Sequence, residues 1–419
     1  MRHWAIGIFA ASLAAAPAAA RSDQPSDPAA AAAPTPLEQA VPADWIFIFK
    51  LNARSFPSVA TATPRPCPFG GSAQPYSSFS QQYAYATSVT PALRAGPGLI
   101  GTSLDDPLGA TFAKIWNGNY NYVVWNDQFY QNPLVPCAKG KNSNADGCGA
   151  PWGHSKGVLA WTDAGDGIVV QVTTPSWPAA AAAAHPRPGD GNTLGCIVRS
   201  NNLKFSQHFF ALKLNAADVE HVVDALANAS VVTDVANPVL VRNGGPAAIQ
   251  AKVALLGRKV PSIAVVDVVL STGVRLIGKP SGLNVPAWQF VSAQLGGVPL
   301  RAATWWASPP IPTTTATTPI ACWSPALAKP GGVEIATSGH WAGKEIDLKG
   351  SSGNHGKFGV STDSAHPFTI FADLNQQGAL SGNCKSSQNG RGGLFFVVSD
   401  PVLHASVTSL IQGGTAAAK

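Results

Sequence analysis

The apolar residues of this chain gather in short runs rather than long periodic stretches. Residues 45–51 read WIFIFKL, almost wholly apolar, as a strand covered on both faces would be. Similar runs predict strands over 120–125, 158–161, 168–173, 262–270, 303–306, 368–372 and 394–398. Helical spacing is rarer. Leu108, Phe112 and Ile115 repeat at i, i+4 and i+7 before Asn117-Gly118. Asn215 caps a stretch with Val219, Val222, Val223 and Leu226 on one side. Pro246 opens a helix over 247–256. Asp400-Pro401 opens another, with Leu403, Val407, Leu410 and Ile411 as its stripe and Gly413 as its stop. Strands alternating with helices predict an α/β protein.

The first twenty residues follow a different rule. Arg2 and His3 precede an apolar core from Ile6 to Leu13, and Ala18-Ala19-Ala20 ends it. That is the pattern of a signal peptide over 1–20, and its core is too short for a membrane anchor. Residues 21–42, rich in Ala, Pro and Ser, read as a flexible segment. No later segment is long and apolar enough to span a membrane. Six cysteines in an exported chain read as disulfides. The local pair Cys137–Cys148 is the simplest choice. Cys67–Cys196 and Cys322–Cys384 would complete a set confined to each half. Only 12% of residues are charged, which excludes a charge-driven disordered chain. With 41 glycines and 35 prolines, coiled coils and helical solenoids are also excluded. A net charge of +6 is compatible with an anionic partner and demands none.

One motif occurs twice. His154-Ser155-Lys156 precedes an apolar strand pair that runs into Thr173-Thr174-Pro175-Ser176. Half a chain later His355-Gly356-Lys357 precedes a second pair, running into Asp373-Leu374-Asn375. Residues i and i+2 of an extended segment share a face, so each histidine points with its lysine. The echo predicts two similar halves, 43–235 and 236–419, around one shared site. Two imidazoles and two ammonium groups suit a phosphodiester. Lysines neutralise the non-bridging oxygens, one imidazole attacks phosphorus, and the other protonates the leaving oxygen. No metal or other cofactor is required, since the cations are built in. A lone His-x-Lys occurs by chance in many chains; two in matching context are much harder to dismiss.

GHSKGV at 153–158 resembles the signature of the deoxyribonuclease II family, acid endonucleases of the phospholipase D-like superfamily. DWIFIFKLN at 44–52, YVVWNDQ at 122–128, VTTPSWP at 172–178, TLGC at 193–196, NHGKFGV at 354–360, FADLNQQ at 371–377 and NGRGG at 389–393 are similar to further family stretches, in the family's order. The resemblance implies two phospholipase D-like halves, each a mixed sheet flanked by helices, related by a pseudo-twofold axis. It also implies metal-independent DNA hydrolysis through a phosphohistidine, leaving 3′-phosphate ends. The family's histidines fall on His154 and His355, and its lysines on Lys156 and Lys357. His154 is taken as nucleophile and His355 as general acid, an assignment that can be reversed. Ser176, Asn375 and Arg391 stand where phosphate contacts are expected, and Asn126, Asp127 and Gln128 where a histidine is oriented or DNA is bound. Asn354 stands where the family usually has an acid, and Ser176 where it tends to have Asn. The pH optimum is left open.

The expected partner is DNA, with no nucleotide cofactor and no membrane span. The expected location is secreted or periplasmic, and a homodimer would suit a long duplex. Two rival readings keep the same fold: a phosphodiesterase acting on lipid headgroups, and a non-catalytic DNA-binding protein. Gly273 to Lys279 imitates the start of a P-loop, but Pro280 stands where Ser or Thr would hold magnesium. No G-x-S-x-G elbow and no H-E-x-x-H occur. His185, His208, His221, His340, His366 and His404 lack ligand spacing and read as surface or packing residues. Trp152, Trp161 and Trp177 surround the first motif and read as core before base-stacking surfaces.

Overall fold

A computed structural model describes Met1 and residues 32–58, 80–100, 104–129, 147–175, 204–307, 309–350, 353–385 and 388–418. The signal peptide, Ser176, Trp177, His185, Cys67, Cys137 and Cys196 lie outside the described residues. The unit Ala33–Lys419 carries everything below.

In chain order the elements are as follows. A ribbon of β1 (Leu37–Glu38) and β2 (Val41–Pro42) leads into β3 (Trp45–Lys50), β4 (Tyr83–Thr87) and β5 (Arg94–Ala95). Then come α1 (Pro107–Asn117), β6 (Asn121–Asn126), β7 (Lys156–Trp161), β8 (Gly167–Val172), β9 (Gln207–Leu214) and α2 (Ala216–Asn228). Next are β10 (Val241–Arg242), α3 (Ala247–Val253), β11 (Val266–Val269), β12 (Arg275–Lys279), α4 (Ala287–Gln294), β13 (Leu300–Ala303) and β14 (Val333–Ile335). A ribbon of β15 (Ser338–Trp341) and β16 (Lys344–Asp347) precedes β17 (Phe358–Ser361), β18 (Phe368–Ala372), β19 (Gly393–Ser399) and α5 (Pro401–Ile411).

Two sheets result. The first runs β10-β6-β7-β8-β9-β3-β4-β5, the second β11-β12-β19-β18-β17-β13-β14. The class is α/β, as the sequence pattern predicts. The expectation that both sheets are mixed needs correction. The first is antiparallel throughout, because β7 and β8 form a tight hairpin and each later strand returns alongside its neighbour. The second is mixed only through the parallel pair β13–β14.

Strand order repeats between the sheets. The run β6-β7-β8-β9-β3 in one is matched by β13-β17-β18-β19-β12 in the other. A helix precedes the matching strands β6 and β13 (α1, α4), and a helix follows β9 and β19 (α2, α5). The sheets meet face to face through aromatic rings. Phe47 lies 4.5 Å from Phe371, and Phe210 stacks on Phe371 at 4.4 Å. This explains why β3 is apolar at nearly every position: it is buried along its full length. Behind the second sheet a separate core gathers Trp288 and Phe290 of α4 with Ile277, Ile370 and Phe395.

Helix ends follow local chemistry. Asp106 accepts the Gly109 amide ahead of α1, Asn215 and Asp218 form a reciprocal capping box on α2, and Asp400 caps α5. The predicted helix 247–256 is shorter, ending at Val253.

Cys322 and Cys384, 62 residues apart, are joined as expected. Cys148 is also disulfide-bonded, while its expected partner Cys137 is among the undescribed residues. The Cys322–Cys384 bridge ties the excursion after β13 to the loop that leads into β19, where the Cys322 amide also donates to the Leu380 carbonyl at 2.8 Å. Replacing both cysteines by alanine is expected to lower stability by about 2–4 kcal/mol through a freer unfolded chain. Urea unfolding under non-reducing conditions measures it.

Candidate active site

Each His-x-Lys occupies the extended segment that enters a central strand, β7 in one sheet and β17 in the other. Each histidine is hung from the opposite sheet. The His154 amide donates to the Gly392 carbonyl at 2.9 Å, and the His355 amide to the Ser206 carbonyl at 2.8 Å. The acceptors belong to the segments that lead into β19 and β9. This reciprocal suspension brings the two motifs to one place.

That place is a cleft of about 350 Å³. It is lined by His154, Lys156, His355 and Lys357, with Gln128, Asn375 and Arg391 among the other walls. Asn126 and Asp127 lie behind this lining, fully buried. Asn126 donates to the Thr174 carbonyl and accepts the Gln128 amide, which shapes the turn after β6. Asn354 does the same for the second motif, bonding both the amide and the carbonyl of Gly356.

Asp127 is the hub of the first motif. Its Oδ2 takes His154 Nδ1 at 2.8 Å and Arg391 at 2.8 Å, and its Oδ1 takes Lys156 Nζ at 2.6 Å. Three cationic or basic groups hold its carboxyl well below the usual range despite burial. Arg391 is committed further, donating to the carbonyls of Trp152 and Gly153. Close approach of backbones makes this possible. A side chain at Gly153 would sit 2.6 Å from the Ala229 carbonyl oxygen, and one at Gly392 would sit 2.4 Å from the Ala229 Cα.

The second motif is built differently. His355 is half-buried between Phe205, which stacks on it at 4.8 Å, and Trp305, edge-on at 4.8 Å. In the sheet register Asn126 faces Lys156, and Ala303 faces Phe358. The position matching Asp127 is therefore Trp305, so a carboxylate in one half is an indole in the other. Lys357 Nζ holds the His355 carbonyl at 2.7 Å.

Burial governs the titrations. It lowers His154 to about 3, working against Asp127. It lowers His355 well below the usual value, assisted by Lys357 and Lys156. It lowers Lys357 to about 7, with Lys156 adding to the effect. Asp373, at the end of β18, is pushed up to about 7 by burial despite both lysines.

The same register relates the segments that follow β8 and β18. Thr173 accepts the His208 amide and Asp373 accepts the Leu394 amide, so these two positions correspond. Two residues on come Pro175 and Asn375, and both line the cleft. Asn375 donates to Gln377, and its Oδ1 takes no hydrogen bond among the described residues.

Several site residues escape the sequence reading. Lys50 and Lys279 end the matching strands β3 and β12, both fully buried and both lowered to about 7 by burial. Lys279 donates to the carbonyls of Asn389 and Arg391, and Lys50 to those of Leu51 and Ser80. The P-loop imitation is thus a strand whose lysine ties down the Arg391 segment. A lone lysine in an apolar strand was the available signal. Gln207 and Phe205 carried none. Trp161 is core, as its surroundings suggest, and Trp152 is buried beside Lys259.

Residues 66–239 match the family model of deoxyribonuclease II. The match contains Asp127, His154 and Lys156, and ends before the second motif. No curated protein matches the chain.

Proposed function

We propose that this chain, which belongs to the deoxyribonuclease II family, cuts DNA through a covalent phosphohistidine and leaves 3′-phosphate ends. The family makes it a hydrolase of the deoxyribonuclease type. The observation that carries the finer reading is the convergence of both His-x-Lys pairs on one cleft. The repeated strand order of the two sheets supports a duplicated, phospholipase D-like architecture split near residue 235.

In this reading Lys156 and Lys357 neutralise the non-bridging oxygens of the scissile phosphate. Arg391 and Asn375 add contacts, with Gln128 at the margin. His154 presents Nε2 to phosphorus while Asp127 holds Nδ1–H. The new N–P bond forms as the bond from phosphorus to the 5′-oxygen breaks. His355 gives that oxygen a proton. His355 then takes a proton from water, which attacks phosphorus, breaks the N–P bond and leaves a 3′-phosphate. The disulfide is compatible with export. Among the described residues no helix is long and apolar enough to cross a membrane. A homodimer would present two clefts to one duplex.

The pH dependence follows from the burial of the site. His154 must be neutral to attack, so cleavage falls as pH drops through about 3. His355 must be charged to act as an acid, and its titration lies below the ordinary 6.5. Lys357 loses its charge near pH 7. Plasmid nicking in excess EDTA is expected to peak on the acid side of neutrality. A maximum above pH 7 would overturn the assignment of His355. Cleavage abolished by EDTA would replace it with metal chemistry, and no cleavage at any pH would favour phospholipid substrates.

A further inference from the structure

The two histidines of the cleft differ in the partner of Nδ1, and the difference fixes where each ring carries its hydrogen. At His154 the partner is a carboxylate, which only accepts. Its Nδ1 therefore donates to Asp127 at 2.8 Å, and Nε2 keeps a lone pair. At His355 the partner is an amide: Nδ1 lies 3.4 Å from Gln207 Nε2. Gln207 is fully buried at the start of β9. In the arrangement seen with neutral His355, the Thr173 hydroxyl donates to Gln207 Oε1 at 2.8 Å while accepting the His208 amide at 2.9 Å. Gln207 thus turns its NH2 toward His355. Nδ1 accepts, and the hydrogen of the neutral ring sits on Nε2, which has no hydrogen bond among the described residues.

We propose that Gln207 is a positioning residue that keeps neutral His355 protonated on Nε2, barring it from nucleophilic attack and leaving that role to His154. This rests on the two-histidine mechanism above and removes its remaining symmetry. A ring whose cleft nitrogen already bears hydrogen has no lone pair for phosphorus. It offers that hydrogen to the leaving oxygen instead. To become a full acid, His355 must also be protonated on Nδ1, against the Gln207 NH2. The amide must then turn its oxygen over. Thr173 permits this, since its hydroxyl has a second acceptor, the His208 carbonyl at 3.3 Å. The charged groups that act on His355 are Lys357, Lys156, His154 and Lys50, all cationic or basic. Phe205 and Trp305 cover its ring. His208 supplies an internal comparison: its Nδ1 accepts the Lys357 amide at 3.0 Å, so its hydrogen is on Nε2, facing Gln171 at 3.3 Å.

The full chain labelled with 15N-histidine reads these states directly at about pH 7.5, above the ordinary histidine titration. Signals are assigned by their loss in His154→Ala and His355→Ala. The expected result is Nδ1–H for His154 and Nε2–H for His355 and His208. Nδ1–H at His355 in the wild type overturns the inference and leaves the nuclease reading intact. Loss of that reading shows separately, as cleavage that survives in both alanine variants. Gln207→Glu supplies an acceptor, so His355 moves to Nδ1–H and the alkaline limb of the pH profile rises by about one unit or more. Gln207→Leu lowers kcat on the order of ten-fold with KM little changed. A limb unmoved in Gln207→Glu, with activity reduced equally at every pH, assigns Gln207 to packing alone and overturns the proposal.

Discussion

His154→Ala and His355→Ala are each expected to reduce DNA cleavage by roughly 10⁴-fold or more, with the double variant little worse than either. Both rings serve one displacement, one making the bond to phosphorus and the other releasing the oxygen. Removing one leaves the other nothing to complete, so the losses do not add. What survives is binding and charge stabilisation from Lys156 and Lys357. The folded state should tolerate both changes, because each histidine hangs by its backbone amide, which alanine keeps. Plasmid nicking at the acid optimum, with circular dichroism as a check on folding, is the measurement. If either variant cut at wild-type rate, the two-histidine mechanism would be wrong.

Asp127→Ala is expected to be the most destabilising single change in the site, costing about 3–5 kcal/mol. Asp127 is buried, and so are the three groups it holds: His154, Lys156 and Arg391. Without it Lys156 and Arg391 face each other as unpaired charges, and His154 loses the acceptor that fixes its ring. The sign with pH can be stated. The carboxyl titrates far below its ordinary 3.8 in the folded chain, so its stabilisation is complete above 3.8 and fades as pH falls through the lower folded value. The gap between wild type and variant in urea unfolding should therefore be full at pH 7 and narrow in strong acid. Asp127→Asn keeps the shape but not the charge, and is expected to recover part of the stability with little of the activity. An Asp127→Ala chain as stable as wild type would show the cluster to be energetically neutral.

Much of this site was legible because its chemistry lies in contiguous motifs. Both His-x-Lys pairs, Asp127, Asn375 and Arg391 could be named from short stretches, and strands such as β3 and β18 fell close to their apolar runs. What was missed shares a physical cause. Helix α4 is buried on nearly every side, so AWQFVSAQ has no polar face to betray a helical period. The strand predicted over 303–306 lies at Leu300–Ala303 instead. Its two tryptophans looked like strand residues, yet Trp305 leaves the sheet to cover His355. From sequence His208 reads as a surface or packing residue. It is buried among rings, and it also receives the Lys357 amide. Gln207 and Phe205 act on His355, far away in sequence, where no local pattern reaches.

The suspension of His154 from Gly392 has a consequence for the cell that makes this chain. Arg391 and Gly392 stand near the C-terminus, while the ring they support belongs to the first half. Every strand of the first sheet precedes these residues in the chain, so that half is complete in sequence before its support is. Without Arg391 and Gly392 the His154 amide lacks the carbonyl that holds it, and Asp127 lacks the guanidinium that pairs with it. A chain cut short before Arg391 is therefore expected not to nick plasmid DNA. Activity would then depend on the last strand of the second sheet being in place, and a partial chain would carry the first motif without its support.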